Sequence, residues 1–320
     1  MALSRTARPR SSTDVAEPVI DTFVLSQLAI GVSVGMTYSI VAIGLTLIYR
    51  VLSAVNFAHG EAYTLGAFAT LIGATTLKLP LWVIVPMVLL VGAAFGWGIE
   101  RLAFRPFRKF TDEASLKSRA VREATLLSSF ALGLVVREIL DRIYHGEWLA
   151  IPQEYLLSTP LSFGGIRLSV GELAIGVVSV VMLACLQFML HRTRTGIAIR
   201  AVSSNLVGAQ FSGIDINRVV VAVFIVGSLL GAVAGMVVSL AYGNVQSYMG
   251  LTVVIKAFVA MVIGGLTSLP GAVVAGILIG VAESTAGIFL PSAWTEMVAY
   301  GMLLLTLLFL PQGLFARRRA

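Results

Sequence analysis

The chain has 320 residues, of which 58% are apolar and only 12% charged, and its mean hydropathy is +0.93. A soluble domain carries about a quarter charged residues, so an ordinary soluble enzyme or binding module is excluded. The net charge of +7 does not indicate nucleic acid, because the excess lies between apolar runs and at the C-terminus, as the positive-inside bias requires.

Residues 1–21 read as a polar tail rather than a cleaved signal, since the first apolar run is too long for a signal core and more membrane segments follow. The windows Thr22–Leu47 and Val219–Leu240 hold no charged residue. Each exceeds the roughly 20 residues needed to cross a bilayer core. Apolar segments follow at 23–49, 57–77, 80–103, 124–140, 169–190, 219–242, 252–266, 271–289 and 295–313. A span in lipid must satisfy its own backbone hydrogen bonds, and no alternating strand pattern is visible. The expected fold is therefore all-α: a polytopic membrane protein with eight or nine transmembrane helices in one transmembrane domain over 22–316, followed by a basic tail at 317–320. Its lone cysteine, Cys185, falls inside a span and reads as a buried thiol.

Three polar loops are basic and are expected in the cytoplasm: Arg105–Arg122, His191–Arg218 and the terminal Arg317–Arg319. The segments Asp141–Leu168 and Gly243–Gly250 are expected outside. Nine full spans then put the N-terminus outside, against the preference of Arg5, Arg8 and Arg10. A re-entrant 57–77 segment, leaving eight full spans, would remove that conflict. Interruptions are expected near 51–66 and 262–274. Two broken hydrophobic segments in corresponding halves suggest a transporter built from repeats.

The first interruption places Asn56, His59 and Glu61 within six residues of an apolar run. Polar groups at membrane depth are expensive and survive where they face a cavity or one another. They fit a broken helix lining a path equally as well as a helix start, with Asn56 as cap and Glu61 near the positive helix end. The second interruption, Gly264-Gly265-Leu-Thr-Ser268-Leu-Pro-Gly271, is the other candidate path element. His59, His145 and His191 lie in different parts of the chain without metal spacing. No phosphate-binding glycine loop occurs, so ATP-driven transport would need a separate ATPase. In the basic 191–218 loop, Ile197, Ala201, Ala209 and Ile214 form an apolar stripe beside Arg194, Arg200 and Asn205. That pattern suits a helix docking on a partner or lying on an anionic leaflet. If the chain folds back near Ser268, Glu283 comes within a turn of Lys256, and the two would neutralise each other as a structural ion pair.

The run Gly44-Leu-Thr-Leu-Ile-Tyr49 through Asn56-Phe-Ala-His59-Gly-Glu61 resembles the signature of branched-chain amino acid ABC transporter permeases, in particular the smaller, first permease of the pair. The loop from Thr195 through Gly196, Arg200, Ala201 and Asn205 to Gly213-Ile-Asp215 resembles that family's ATPase-docking loop. Lys256-Ala-Phe with Gly264–Gly276, and Leu308-Phe-Leu-Pro311-Gln-Gly313, complete four ordered matches over residues 25–315. The tail and the 105–122 insert are longer or more charged than the family pattern. The resemblance implies a bacterial inner-membrane importer subunit. Its partners would be a second homologous permease, two cytoplasmic ATPases and a periplasmic binding protein. It would bind no cofactor, ATP being consumed by the partner subunits. Relatives of this kind carry branched-chain amino acids, urea, short amides or aromatic acids. The expected path residues are Asn56, His59, Glu61, Gly264, Gly265 and Ser268. The expected docking residues are Gly196, Arg200, Ala201, Asn205, Gly213 and Asp215. An ion-coupled secondary transporter is the rival, with only Glu61 and Glu283 as relay candidates.

Overall fold

A computed structural model describes residues 13–107, 119–163 and 166–315. Most of the polar tail, the centre of the basic 105–122 insert and Arg317–Arg319 lie outside them. The described residues form eleven α-helices. They are α1 (Thr13–Leu52), α2 (His59–Thr75), α3 (Leu81–Ile99), α4 (Arg119–Tyr144), α5 (Val170–Arg192), α6 (Arg194–Ser204), α7 (Leu206–Phe211), α8 (Ile216–Tyr242), α9 (Met249–Gly264), α10 (Leu269–Phe289) and α11 (Ser292–Phe309). Local sequence sets several boundaries. Ser169 and Glu172 form a reciprocal capping box at the start of α5. The Asp215 carboxylate accepts from two backbone N–H groups at the start of α8. Ser268 caps α10, with Pro270 in its first turn.

Nine of these helices run alternately between two faces. One face carries the short strands β1 (Leu149–Ala150), β2 (Pro160–Phe163), β3 (Ile166–Ser169) and β4 (Asn244–Val245), with β1 paired to β4 and β2 to β3, both antiparallel. The Arg167 N–H donates to Ser26 Oγ, so the start of α1 lies on this face. The opposite face carries α6, α7 and the 265–268 turn, where Leu314 N–H reaches Ile263 O. With the basic loops inside, the described start of α1 is outside and all nine helices alternate. Segment 57–77 therefore does not dip in and return.

Five helices, α1, α3, α5, α8 and α10, are long and apolar enough to cross a bilayer on their own. Close packing in the centre depends on small residues, as is usual between membrane helices. At Gly35, for example, a Cβ would overlap the backbone of Ile277 on α10. Exposed apolar side chains lie mainly on α3, α4, α5 and α11. Cys185 is one of the exposed residues of α5, not a buried thiol.

Two six-residue breaks organise the core. After α1 the chain turns through Ser53, at φ 53°, and is non-helical to Ala58. After α8 it turns through Gly243, at φ 73°, and is again non-helical to Tyr248 apart from the short β4. The helices that follow, α2 with 17 residues and α9 with 16, are short by the measure of a full bilayer crossing. The order α1–α2–α3–α4 thus recurs as α8–α9–α10–α11 with opposite direction across the membrane. His59 and Met249, the first residues of α2 and α9, are 190 positions apart (249 minus 59). This is an inverted-topology repeat. Both interruptions expected from sequence exist, at 53–58 and 265–268. The counterpart of 53–58, however, is 243–248, which runs inward instead of forming a plain outer loop. The 265–268 turn corresponds to 76–80.

Candidate functional site at the mid-membrane helix junction

His59 lies against Gly44 and Gly227, where an added Cβ at Gly44 would come within 2.6 Å of its ring. Gly44 is eight residues before the end of α1 and Gly227 eleven after the start of α8. At about 1.5 Å per residue these are some 12–16 Å in from the cytoplasmic ends. The break at 53–58 therefore climbs into the protein, and α2 starts at mid-depth and runs outward. The start of α9 lies beside it: Gly250 packs on the Gly60 backbone and the Thr64 hydroxyl, and Gly60 packs on Val254. Only glycine at both positions lets the first turns of α2 and α9 overlap so closely. Neither helix has a side-chain cap at its N-terminus, where Ala58 and Tyr248 stand.

Ionisable side chains gather at this junction. Glu61, in the first turn of α2, is fully buried. Its Oε1 accepts from Arg137 Nη2 on α4 at 2.5 Å. Arg137 is itself 6% exposed, and its guanidinium sits 5.6 Å from the ring centroid of Tyr248. The Thr64 hydroxyl is beside the Glu61 carboxylate but donates back to Gly60 O. Glu61 Oε2, Arg137 Nε, both amide atoms of Asn56 and the Ser247 hydroxyl are buried and make no hydrogen bond. Beside them Phe57 donates its N–H to Ser129 Oγ. Its ring packs on Phe130 at 6.3 Å and on Phe258 at 5.7 Å.

Phe258 also lines a cavity of about 790 Å³, together with Tyr49, Val55, Gly265, Thr267 and Leu307. It lies near the cytoplasmic end of α9. Of the six expected path residues, only Gly265 borders it. Asn56, His59 and Glu61 are buried above it. Gly264 is packed on Gly271, and Ser268 is occupied in capping α10. The six are therefore not one lining.

Lys256 Nζ is 2.9 Å from Glu283 Oε1 and donates to Oε2 at 3.1 Å. Tyr38 on α1 completes a triad, its hydroxyl donating to Glu283 Oε2 at 2.9 Å and accepting from Lys256 at 3.2 Å. On the cytoplasmic face, α6 and α7 are capped by Thr193 and Asn205. Gly196 is buried where a Cβ would enter the end of α5. Ile199 and Val202 face the protein, whereas Ile197, Arg200, Gln210 and Phe211 are exposed. Of the expected apolar stripe Ile197 is exposed and Ala209 buried, and Phe211 is 88% exposed. Gly213 adopts φ 77° in the turn before α8. Asp215 also pairs with Arg218 at 3.0 Å. Arg137, Tyr38 and Phe211 were not singled out in the sequence. Arg137 carried a signal, as a cation within an apolar stretch of α4.

The family described as branched-chain amino acid transport system / permease component matches residues 27–307. The chain belongs to this family. The permease is 33% identical over 306 residues to the Pseudomonas aeruginosa high-affinity branched-chain amino acid transport system permease protein BraD, covering 92% of this chain and 96% of the relative. It is 30% identical over 304 residues to the Salmonella typhimurium permease protein LivH of the same system, with the same coverage. A solved structure, PsaBC from Streptococcus pneumoniae in complex with Fab, overlays on 92% of this chain and 96% of its own at 14% identity, with a TM-score of 0.47. The chain is accordingly a multi-pass inner-membrane permease component.

Proposed function

We propose that the chain is one of two homologous permease subunits of an ABC importer, carrying branched-chain or related hydrophobic amino acids inward by alternating access. The observation that carries this reading is near-full-length kinship with two branched-chain amino acid permeases, together with an inverted repeat broken at mid-membrane. ATP would be hydrolysed by two cytoplasmic ATPase subunits, and a periplasmic binding protein would deliver the solute. This chain would bind no cofactor and perform no covalent chemistry. Among the described residues no group of three or more His, Cys, Asp or Glu side chains could hold a metal ion.

The surface of α6 and α7 suits the ATPase contact. Arg200 offers a planar fork to a carboxylate, Phe211 an aromatic anchor of the kind that dominates binding energy. Gly196, Ala201, Asn205, Gly213 and Asp215 shape and cap the segment. Asn56, His59, Glu61, Gly264, Gly265 and Ser268 would act by shaping the path's walls and turns, and Lys256–Glu283 by holding α9 to α10. The test is uptake of tritiated leucine into vesicles containing all subunits. Uptake that stops when ATP is depleted, with the proton gradient intact, supports the reading; uptake that persists overturns it.

A further inference from the structure

We infer that the junction of α2 and α9 is a binding site for the carboxylate and ammonium groups of an α-amino acid in transit. The inference rests on the function proposed above and names what that path recognises.

Three observations converge. First, the N-termini of two discontinuous helices overlap at mid-depth, and neither is capped by a side chain. A helix N-terminus is equivalent to about half a positive charge. Glu61, in the first turn of α2, is paired with Arg137, and α9 has no acidic residue in its first turn, so the α9 end is left without an anion. Second, the polar atoms that remain unpaired there are of both kinds. Arg137 Nε and Asn56 Nδ2 are donors, while Glu61 Oε2 and Asn56 Oδ1 are acceptors. Both charged residues are more than nine-tenths buried. Buried polar groups are nearly always satisfied, so each orphan calls for a partner. A carboxylate on Arg137 and the α9 end, with an ammonium on Glu61, supplies both kinds and leaves the net charge unchanged. Third, Phe57 packs on Phe130 and Phe258, and the Glu61 side chain lies one turn from Phe130 along α4, against Gly133. Phe258 connects this cluster to the cytoplasmic cavity. An aliphatic side chain finds an apolar surface there, whereas urea or a short amide would leave the charges unmatched.

Arg137 and Glu61 are on this reading substrate-contacting residues, and the Tyr248 ring packs against the guanidinium beside them. The test uses the complete transporter in proteoliposomes with leucine-loaded binding protein. Leucine uptake and binding-protein-stimulated ATPase activity are read in parallel. Wild-type protein that takes up no leucine sinks the parent function, whatever the variants do. In Glu61→Met/Arg137→Met the buried pair is replaced by apolar side chains of similar volume, which a purely structural pair tolerates. The expected result is an assembled complex with stimulated ATPase within about twofold of wild type and uptake lower by about tenfold or more. Uptake within about twofold of wild type, or uptake and ATPase falling in proportion, overturns the site. Should the double variant fail to assemble, Arg137→Lys decides by the same two readouts, because it keeps the charge but not the fork.

Discussion

At the scale of single residues, glycine and charge have separate tasks in this core. Gly44 leaves room for the His59 ring, which the Val41 backbone also approaches. Gly44→Val would drive two methyl groups into that ring. The expected outcome is a loss of about 1–3 kcal/mol, read as a fall in the thermal midpoint of the purified complex. The Lys256–Glu283–Tyr38 triad makes a sharper case. Lys256→Met alone leaves a buried carboxylate without its cation, at a cost of about 3–5 kcal/mol. Lys256→Met/Glu283→Met removes both charges and is expected near wild-type stability in the same assay, apart from the Tyr38 hydroxyl. A double variant as unstable as the single would show that the triad is held by more than charge. The pairing of positions 256 and 283 was legible because a glycine-rich turn and helical spacing place them together. Tyr38 was not, since nothing in α1 marks one hydroxyl among many apolar neighbours as the third member.

At the scale of elements, the informative contrast is between apolar runs and breaks. The nine spans were legible because apolar runs bounded by polar loops have few alternatives in lipid. The 53–58 break was legible through its polar residues. Its counterpart at 243–248 has neither charge nor proline and so looks like an outer loop in the sequence; only the packing of Gly250 on Gly60 reveals that it turns inward. Arg137 was hidden in a different way. The helix α4 carries Arg119, Arg122, Glu123, Glu138, Asp141 and Arg142 as well, so one more arginine directly before Glu138 did not stand out. The helices α6 and α7 bear a prediction of their own. Arg200→Glu reverses an exposed charge and Phe211→Ser removes an exposed aromatic. Each is expected to leave the permease folded and to reduce ATPase co-purification severalfold, since interface hot spots of these types contribute about 2 kcal/mol or more. Gly196→Leu should instead fail earlier, by pushing α6 away from the end of α5. Unchanged co-purification in the first two variants would move the docking site elsewhere.

At the scale of the whole molecule, alternation of nine helices fixes which ends face which compartment. In a Cys185→Ser background, single cysteines at Asn244 and Leu77 should react with a membrane-impermeant maleimide from outside. Cysteines at Ser204 and Thr267 should react only after the inner face is opened. Labelling of Thr267→Cys from outside would break the alternation and with it the inverted repeat. That repeat also carries a consequence for the cavity beside Phe258. Shifting its residues by the 190-position offset that separates α2 from α9 maps Phe258, Val55 and Tyr49 onto Phe68, Val245 and Ser239. The first three are half-buried and line the cavity; the second three are 2%, 0% and 0% exposed. One copy of the motif is open while its mirror copy is shut. If the two copies trade shapes during transport, the residues of the outward-facing vestibule are already written in the chain: a cysteine at Val245 should be inert in the resting protein and become reactive from outside once the ATPases are trapped with nucleotide.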